Sequence, residues 1–149
     1  MTIVPLTSEL FDDFAGLSES LADYERLERP DAAAIARLRA DAFASRPRFE
    51  AALALDEAER PIAYAIWFET YSSFLAKPTM FLEDLFVLEH ARGSGAGGRL
   101  FEFVRKLGED RGCGRMDWNV LDWNTPARDF YDRRSAQFMK EWLLYRLTY

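Results

Sequence analysis

The chain has one cysteine, Cys113, and one histidine, His90, in 149 residues. A lone cysteine excludes an intramolecular disulfide, and the two residues together cannot build a Cys/His zinc cluster. Any Ser-His-Asp or Cys-His triad would rest on His90 alone. Basic residues are in deficit: 19 Lys and Arg stand against 25 Asp and Glu, for a formal net charge of −6. That balance opposes non-specific binding to nucleic acid or an anionic membrane and suits a cationic substrate. No apolar run reaches the roughly 18 residues of a membrane span. The opening Met1-Thr2-Ile3-Val4-Pro5 lacks the basic and apolar regions of a signal peptide, so the expected location is the cytoplasm. Internal repeats, low-complexity tracts and a dividing linker are all missing.

What is present is an ordinary globular composition, 49% hydrophobic and 30% charged. It is enough for one core and one domain spanning residues 1–149. Thr2 to Leu6 reads as a short strand. Leu10, Phe14, Leu17, Leu21 and Tyr24 recur at steps of four and three, which marks one face of a helix ending near Arg29-Pro30. A second helix follows, with Asp31 as N-cap and Ile35, Leu38 and Ala42 inward. From Phe49 to Leu55 the period becomes two, up to a polar turn at Asp56–Pro61. Apolar strands are predicted from Ile62 to Phe68 and from about Thr79 to Leu88.

A glycine-rich loop from Arg92 to Gly98 then leads into a helix that buries Leu100, Phe101, Val104 and Leu107 and stops at Gly112. Arg115 to Leu121 reads as a strand, Asn124 to Arg133 as a short helix with Pro126 in its first turn, and Trp142 to Leu147 as a final strand. The order predicts a mixed α/β domain of the α+β type, with helices flanking a mainly antiparallel sheet.

Gly93, Gly95, Gly97 and Gly98 crowd into six residues ahead of a helix. Glycines let backbone N–H groups turn toward a phosphate, and the helix N-terminus adds a favourable dipole. The stretch fits the dinucleotide pattern G-x-G-x-x-G, with Asp117 about 20 residues on. That motif needs its first glycine directly after the strand, whereas Glu89-His90-Ala91-Arg92 intervene here. Arg92-Gly93-Ser94-Gly95-Ala96-Gly97 instead matches R-x-x-G-x-G/A, the acetyl-CoA pyrophosphate loop of the GNAT superfamily of N-acetyltransferases, which the chain resembles.

Within that superfamily the chain is similar to the spermidine/spermine (diamine) N-acetyltransferase group. The likeness runs through Phe81-Leu82-Glu83-Asp84-Leu85-Phe86-Val87-Leu88 and the loop, then Asp122-Trp123-Asn124 and Phe130-Tyr131-Asp132-Arg133-Arg134, with Leu21-Ala22-Asp23-Tyr24-Glu25 in the first helix. Two departures stand out. Ser135 replaces the usual glycine after the Arg-Arg pair, and the segment before Trp142 is shorter than in close members.

The resemblance implies a GNAT fold that transfers an acetyl group from acetyl-CoA to a primary amine of a small cationic substrate, a polyamine or diamine. Transfer is direct, within a ternary complex, and a homodimer is compatible. No metal, nucleic acid or membrane partner is implied. A protonated alkylamine is not nucleophilic, so the reaction needs a proton acceptor, an oxyanion donor and an acid for the thiolate.

By family position Glu83 is the acceptor, and burial on an apolar strand with Phe81, Leu85 and Val87 on its face would raise its basicity, against the plainer reading of a carboxylate on a solvated patch or paired with an arginine. Tyr131 is the acid, against the plainer reading of a packed ring with a wetted hydroxyl. Leu85, Phe86 and Val87 offer backbone groups to the pantetheine, and Arg92, Gly93, Ser94, Gly95, Ala96, Gly97 and Gly98 hold the pyrophosphate. Asn124 either caps its helix or bonds the pantetheine arm, and one geometry can serve both; Ala127 is assigned to the cofactor with it. Tyr24, Glu25 and Trp142 face the amine; for Tyr24 and Glu25 the alternative is a solvated helix end. Asp84 is assigned to the opposite face as structural, His90 to the surface and Cys113 to packing. Other readings are a protein-lysine or N-terminal acetyltransferase, a non-catalytic CoA-binding module and, more distantly, a nicotinamide-binding module.

Overall fold

Strand alternation sorts side chains between the two faces of a central sheet. The computed structural model describes residues 1–149. Its elements are β1 (Thr2–Pro5), α1 (Phe11–Glu25), α2 (Ala32–Ala42), β2 (Glu50–Leu55), β3 (Pro61–Ser72), β4 (Lys77–Val87), a 3-10 turn (Glu89–Ala91), α3 (Ala96–Asp110), β5 (Arg115–Trp118) and α4 (Thr125–Asp132). The five strands lie in the order β1-β2-β3-β4-β5. Neighbours are antiparallel except β5, which runs parallel to β4. This is the mixed, mainly antiparallel α/β sheet with flanking helices that the sequence predicts. The residues group into two compact units, Met1–Trp118 and Asn119–Tyr149.

In the first unit one sheet face carries Leu53, Tyr64, Ile66 and Phe86, which pack with Phe11, Phe14 and Leu17 of α1. Burying side chains of this size contributes about 1.5–3 kcal/mol each. The opposite face is small: Ala52 pairs with Ala65 and Ala54 with Ala63. It lies on the α3 side, where Leu100, Phe101 and Val104 are buried. There Phe103 meets the Trp67 ring edge-on, and Gly108 lies so close to Met80 that an added Cβ would sit 3.2 Å from its Cβ. Asp31 caps α2 by accepting from the Ala34 N–H at 2.7 Å. Ile35, Leu38 and Ala42 are half-buried, and Ile35 and Leu38 pack against the core as expected. Gly112, at φ 74°, closes α3 while the Cys113 N–H reaches the Gly108 carbonyl at 2.9 Å.

In the second unit Asn124 accepts from the Ala127 N–H at 3.3 Å and so caps α4. The expected strand over Trp142–Leu147 does not form; residues 142–149 are irregular and exposed. An alternating pattern specifies which side chains share a face, but a strand exists only with a ladder partner, and none runs beside this segment. β5 likewise stops at Trp118 instead of Leu121, because the chain turns where the Asn124 N–H reaches the Leu121 carbonyl at 2.9 Å.

Candidate active site

The site is organised by one irregularity. Ile66 pairs with Asp84 and Trp67 with Leu82, so Glu83 is an extra residue on β4 with no partner on β3, a β-bulge. The bulge resets the alternation. Phe81, paired with Phe68, lies on the α1 face, as do Asp84 and Phe86; Leu85 and Val87 lie on the α3 face. The expected grouping of Glu83 with Phe81, Leu85 and Val87 therefore does not form, and Glu83 is exposed, not buried. A side-chain period of two survives only while each residue faces one partner, and the extra residue breaks it.

Asp84 is the half-buried carboxylate, on the face where α1 packs. It accepts a hydrogen bond from the Tyr64 hydroxyl at 3.2 Å. Tyr64 is wholly buried, with its ring edge-on to Phe14 at 5.3 Å. Burial, then the charge of Glu83, pushes the Asp84 carboxyl up to about 6; the Tyr64 hydrogen bond pulls the other way and Glu25 adds to the rise. Burial, then the Asp84 charge, holds the Tyr64 phenol well above its ordinary range, so it remains a donor. Sequence reasoning missed this pair. A double-acidic step inside an apolar strand is the only trace it leaves, because a bulge is a property of register.

Glu25 and Tyr24 end α1 beside this group. Arg26 takes a left-handed φ of 58°, and the Leu27 and Arg26 N–H groups bond the Ala22 and Asp23 carbonyls at 2.9 and 3.1 Å. Arg29 grips Asp23 through two bonds of 2.8 and 2.5 Å, which fixes the chain leaving the helix. Burial raises the Glu25 carboxyl above its ordinary value. The carbonyl end of α1 is itself partly negative.

The glycine loop is joined to the same corner. The Arg92 guanidinium lies 4.6 Å from the Tyr24 ring centroid, and its Nε donates to the Val87 carbonyl at 3.4 Å. Gly93 and Gly95 have φ of 81° and 90°, and an added Cβ at either would meet open space. The first turn of α3, Ala96-Gly97-Gly98, presents backbone N–H groups that have no intrahelical acceptors; the Ala96 N–H is shared with Ser94 Oγ at 3.4 Å. This cradle fits a pyrophosphate. β5 pairs with β4 only from Thr79 to Leu82, so no strand lies against that edge of Leu85, Phe86 and Val87. An extended amide arm can bond there, which suits pantetheine.

The remaining expected residues lie in the second unit. Burial pushes the Tyr131 phenol up to about 12, so it is protonated at neutral pH. Trp142 is 75% exposed. His90 is exposed in the 3-10 turn, and burial raises the Cys113 thiol, the reverse of an activated nucleophile. No group of His, Cys, Asp and Glu is arranged to hold a metal, and no helix is long and apolar enough to cross a membrane.

Residues 13–136 match the acetyltransferase (GNAT) family model. The chain belongs to the GNAT acetyltransferase family. A GNAT acetyltransferase takes its acetyl group from acetyl-CoA. Among relatives, thialysine N-epsilon-acetyltransferase of Bos taurus is 32% identical over 132 residues, covering 84% of this chain and 77% of that protein. L-ornithine N5-acetyltransferase NATA1 of Arabidopsis thaliana is 44% identical over 85 residues, which is 57% of this chain and 37% of that longer protein. A solved structure, AAC(6')-Iy in complex with the bisubstrate analog CoA-S-monomethyl-acetylneamine, superposes with a TM-score of 0.80 at 21% identity, covering 99% of this chain and 97% of that one.

Proposed function

We propose that this GNAT enzyme acetylates a primary amine of a small cationic substrate, a polyamine, diamine or basic amino acid side chain, by direct transfer in a ternary complex. The observation that carries the reading is the negative corner formed by Glu25, Asp84, the adjacent Glu83 and the carbonyl end of α1, next to the open edge of β4. A small ammonium finds charge complementarity there. The thialysine and ornithine named for the two relatives are of the same class.

Glu83 accepts the proton that must leave the amine, by its match to the family position. Backbone N–H groups of Leu85 to Val87 orient the thioester and its oxyanion, and Gly93 to Gly98 hold the pyrophosphate. Tyr24 and Glu25 select a positive charge on the amine. Asn124, Ala127, Tyr131 and Trp142 enter through the resemblance alone: the first two at the pantetheine, Tyr131 as the acid, Trp142 at the amine. The reading places the enzyme in the cytoplasm, with a homodimer as its working assembly.

The test is an amine panel with acetyl-CoA, following thiol release. It includes diamines, polyamines, thialysine, ornithine, aminoglycosides and lysine peptides. Turnover of diamines or of ornithine-like amines is expected. Turnover of lysine peptides with none of the small amines would overturn the reading.

A further inference from the structure

Tyr64 and Asp84 form a hydrogen-bonded side-chain pair of the sheet interior that the proposed chemistry leaves unused. Tyr64 is 0% exposed, yet places its hydroxyl on a carboxylate 3.2 Å away. A buried phenol needs a partner, but an ionisable one is an expensive choice for stability alone, since desolvating a carboxylate is unfavourable. The bulge at Glu83 brings Asp84 onto the α1 face, beside Glu25. Had the strands kept the register of Phe81 with Phe68, Glu83 would face Ile66 and Asp84 would go to the other face.

We propose that Asp84 is a second catalytic carboxylate, which takes the proton from the substrate ammonium and passes it to exposed Glu83, with Tyr64 as its positioning residue. This rests on the small-amine reading and names the group that receives the ammonium.

The step balances. The ammonium N–H bond breaks and its proton goes to the Asp84 carboxylate, leaving a neutral amine. The freed lone pair forms the N–C bond to the acetyl carbon as the C–S bond of the thioester breaks. The attacking nitrogen sheds a second proton, which ends on the sulfur as thiol. Asp84 returns its proton to Glu83, and Glu83 to solvent. The groups facing Asp84 are Tyr64 from β3, Glu83 from β4 and Glu25 from α1. Ser18 of α1 hydrogen-bonds the Tyr64 hydroxyl. Of the three groups facing it, only Tyr64 favours the ionised carboxylate. Desolvation outweighs it, which leaves Asp84 titrating at about 6, within reach of neutral-pH proton transfer.

The experiment measures pH–rate profiles of kcat/KM for wild type, Asp84→Asn and Tyr64→Phe with whichever small amine the panel shows to be turned over. CoA binding by calorimetry reports whether each variant is folded. Carboxyl-labelled aspartate NMR follows the Asp84 titration without turnover. Asp84→Asn should lose about 10²-fold or more at pH 7 and recover at high pH, where the amine arrives neutral. Tyr64→Phe should keep its plateau rate but move both the acid limb and the NMR titration upward by roughly one pH unit. A merely structural Tyr64 would lower Tm and shift the NMR titration while leaving the acid limb unmoved. An Asp84→Asn enzyme within a few-fold of wild type, with an unmoved acid limb, overturns this inference while the small-amine reading stands. A wild type that binds CoA and turns over no small amine removes that reading, and this assignment with it.

Discussion

Gly95 is the point where fold and cofactor chemistry can be separated by one substitution. It is the N-cap of α3 with φ 90°, and an added Cβ meets no atom within 4 Å. Gly95→Ala therefore introduces strain without a clash. A left-handed L-residue costs roughly 1–2 kcal/mol, and the stiffer unfolded chain returns about 0.4–1 kcal/mol. The net of about 1 kcal/mol corresponds to a Tm lower by roughly 2–4 °C. Gly95→Asp carries the same strain, but aspartate is a favoured N-cap, so its fold should be no weaker than that of the Ala variant. Its effect on CoA is different. A carboxylate about 4–5 Å from a pyrophosphate in a half-solvated cradle repels it by roughly 2–4 kcal/mol, between the water and protein-surface limits. CoA affinity should then fall roughly 30- to 700-fold for Asp, against a few-fold for Ala. Calorimetry with CoA and a thermal melt on each variant read both quantities. If Gly95→Asp binds CoA as the Ala variant does, the pyrophosphate does not lie on this loop.

Tyr131→Phe keeps the ring and removes a phenol that burial holds protonated up to about pH 12; kcat should drop about 10²–10⁴-fold with CoA affinity unchanged, and an unchanged kcat with chemistry rate-limiting excludes the acid role. Glu25→Gln should raise KM for long polyamines more than for a monoamine, as measured by steady-state kinetics; equal effects would assign Glu25 to a solvated helix end. Ser135 sits at φ 59°, with its N–H on the Asp132 carbonyl at 3.0 Å and the Ala136 N–H on the Tyr131 carbonyl at 3.3 Å, a left-handed helix stop. Ser135→Gly should stabilise the chain by about 0.5–1 kcal/mol in a denaturant titration; destabilisation would show that the left-handed turn is not what favours glycine there.

The residue pattern alone determined the elements whose signals are local. The steps of four and three from Leu10 to Tyr24 correspond to α1, and Asp31 and Asn124 cap the helices they precede. Gly112 ends α3, and the R-x-x-G-x-G loop precedes α3 as the family pattern requires. Each depends on residues within one or two helical turns, so a single stretch of chain carries enough information. The tertiary structure decided what depends on register and partners. Alternation along β4 placed Glu83 with Leu85 and Val87; an extra residue against β3 moved Asp84 onto the α1 face and left Glu83 exposed. Tyr64, 20 residues away in sequence, became its hydrogen-bond donor only once β3 lay alongside. The strand expected at Trp142–Leu147 has the same origin: its pattern is local, but its ladder requires a neighbour, and none lies beside it. Helix hydrogen bonds close within four residues, while a strand's hydrogen bonds, and the face each side chain takes, are settled by a distant segment.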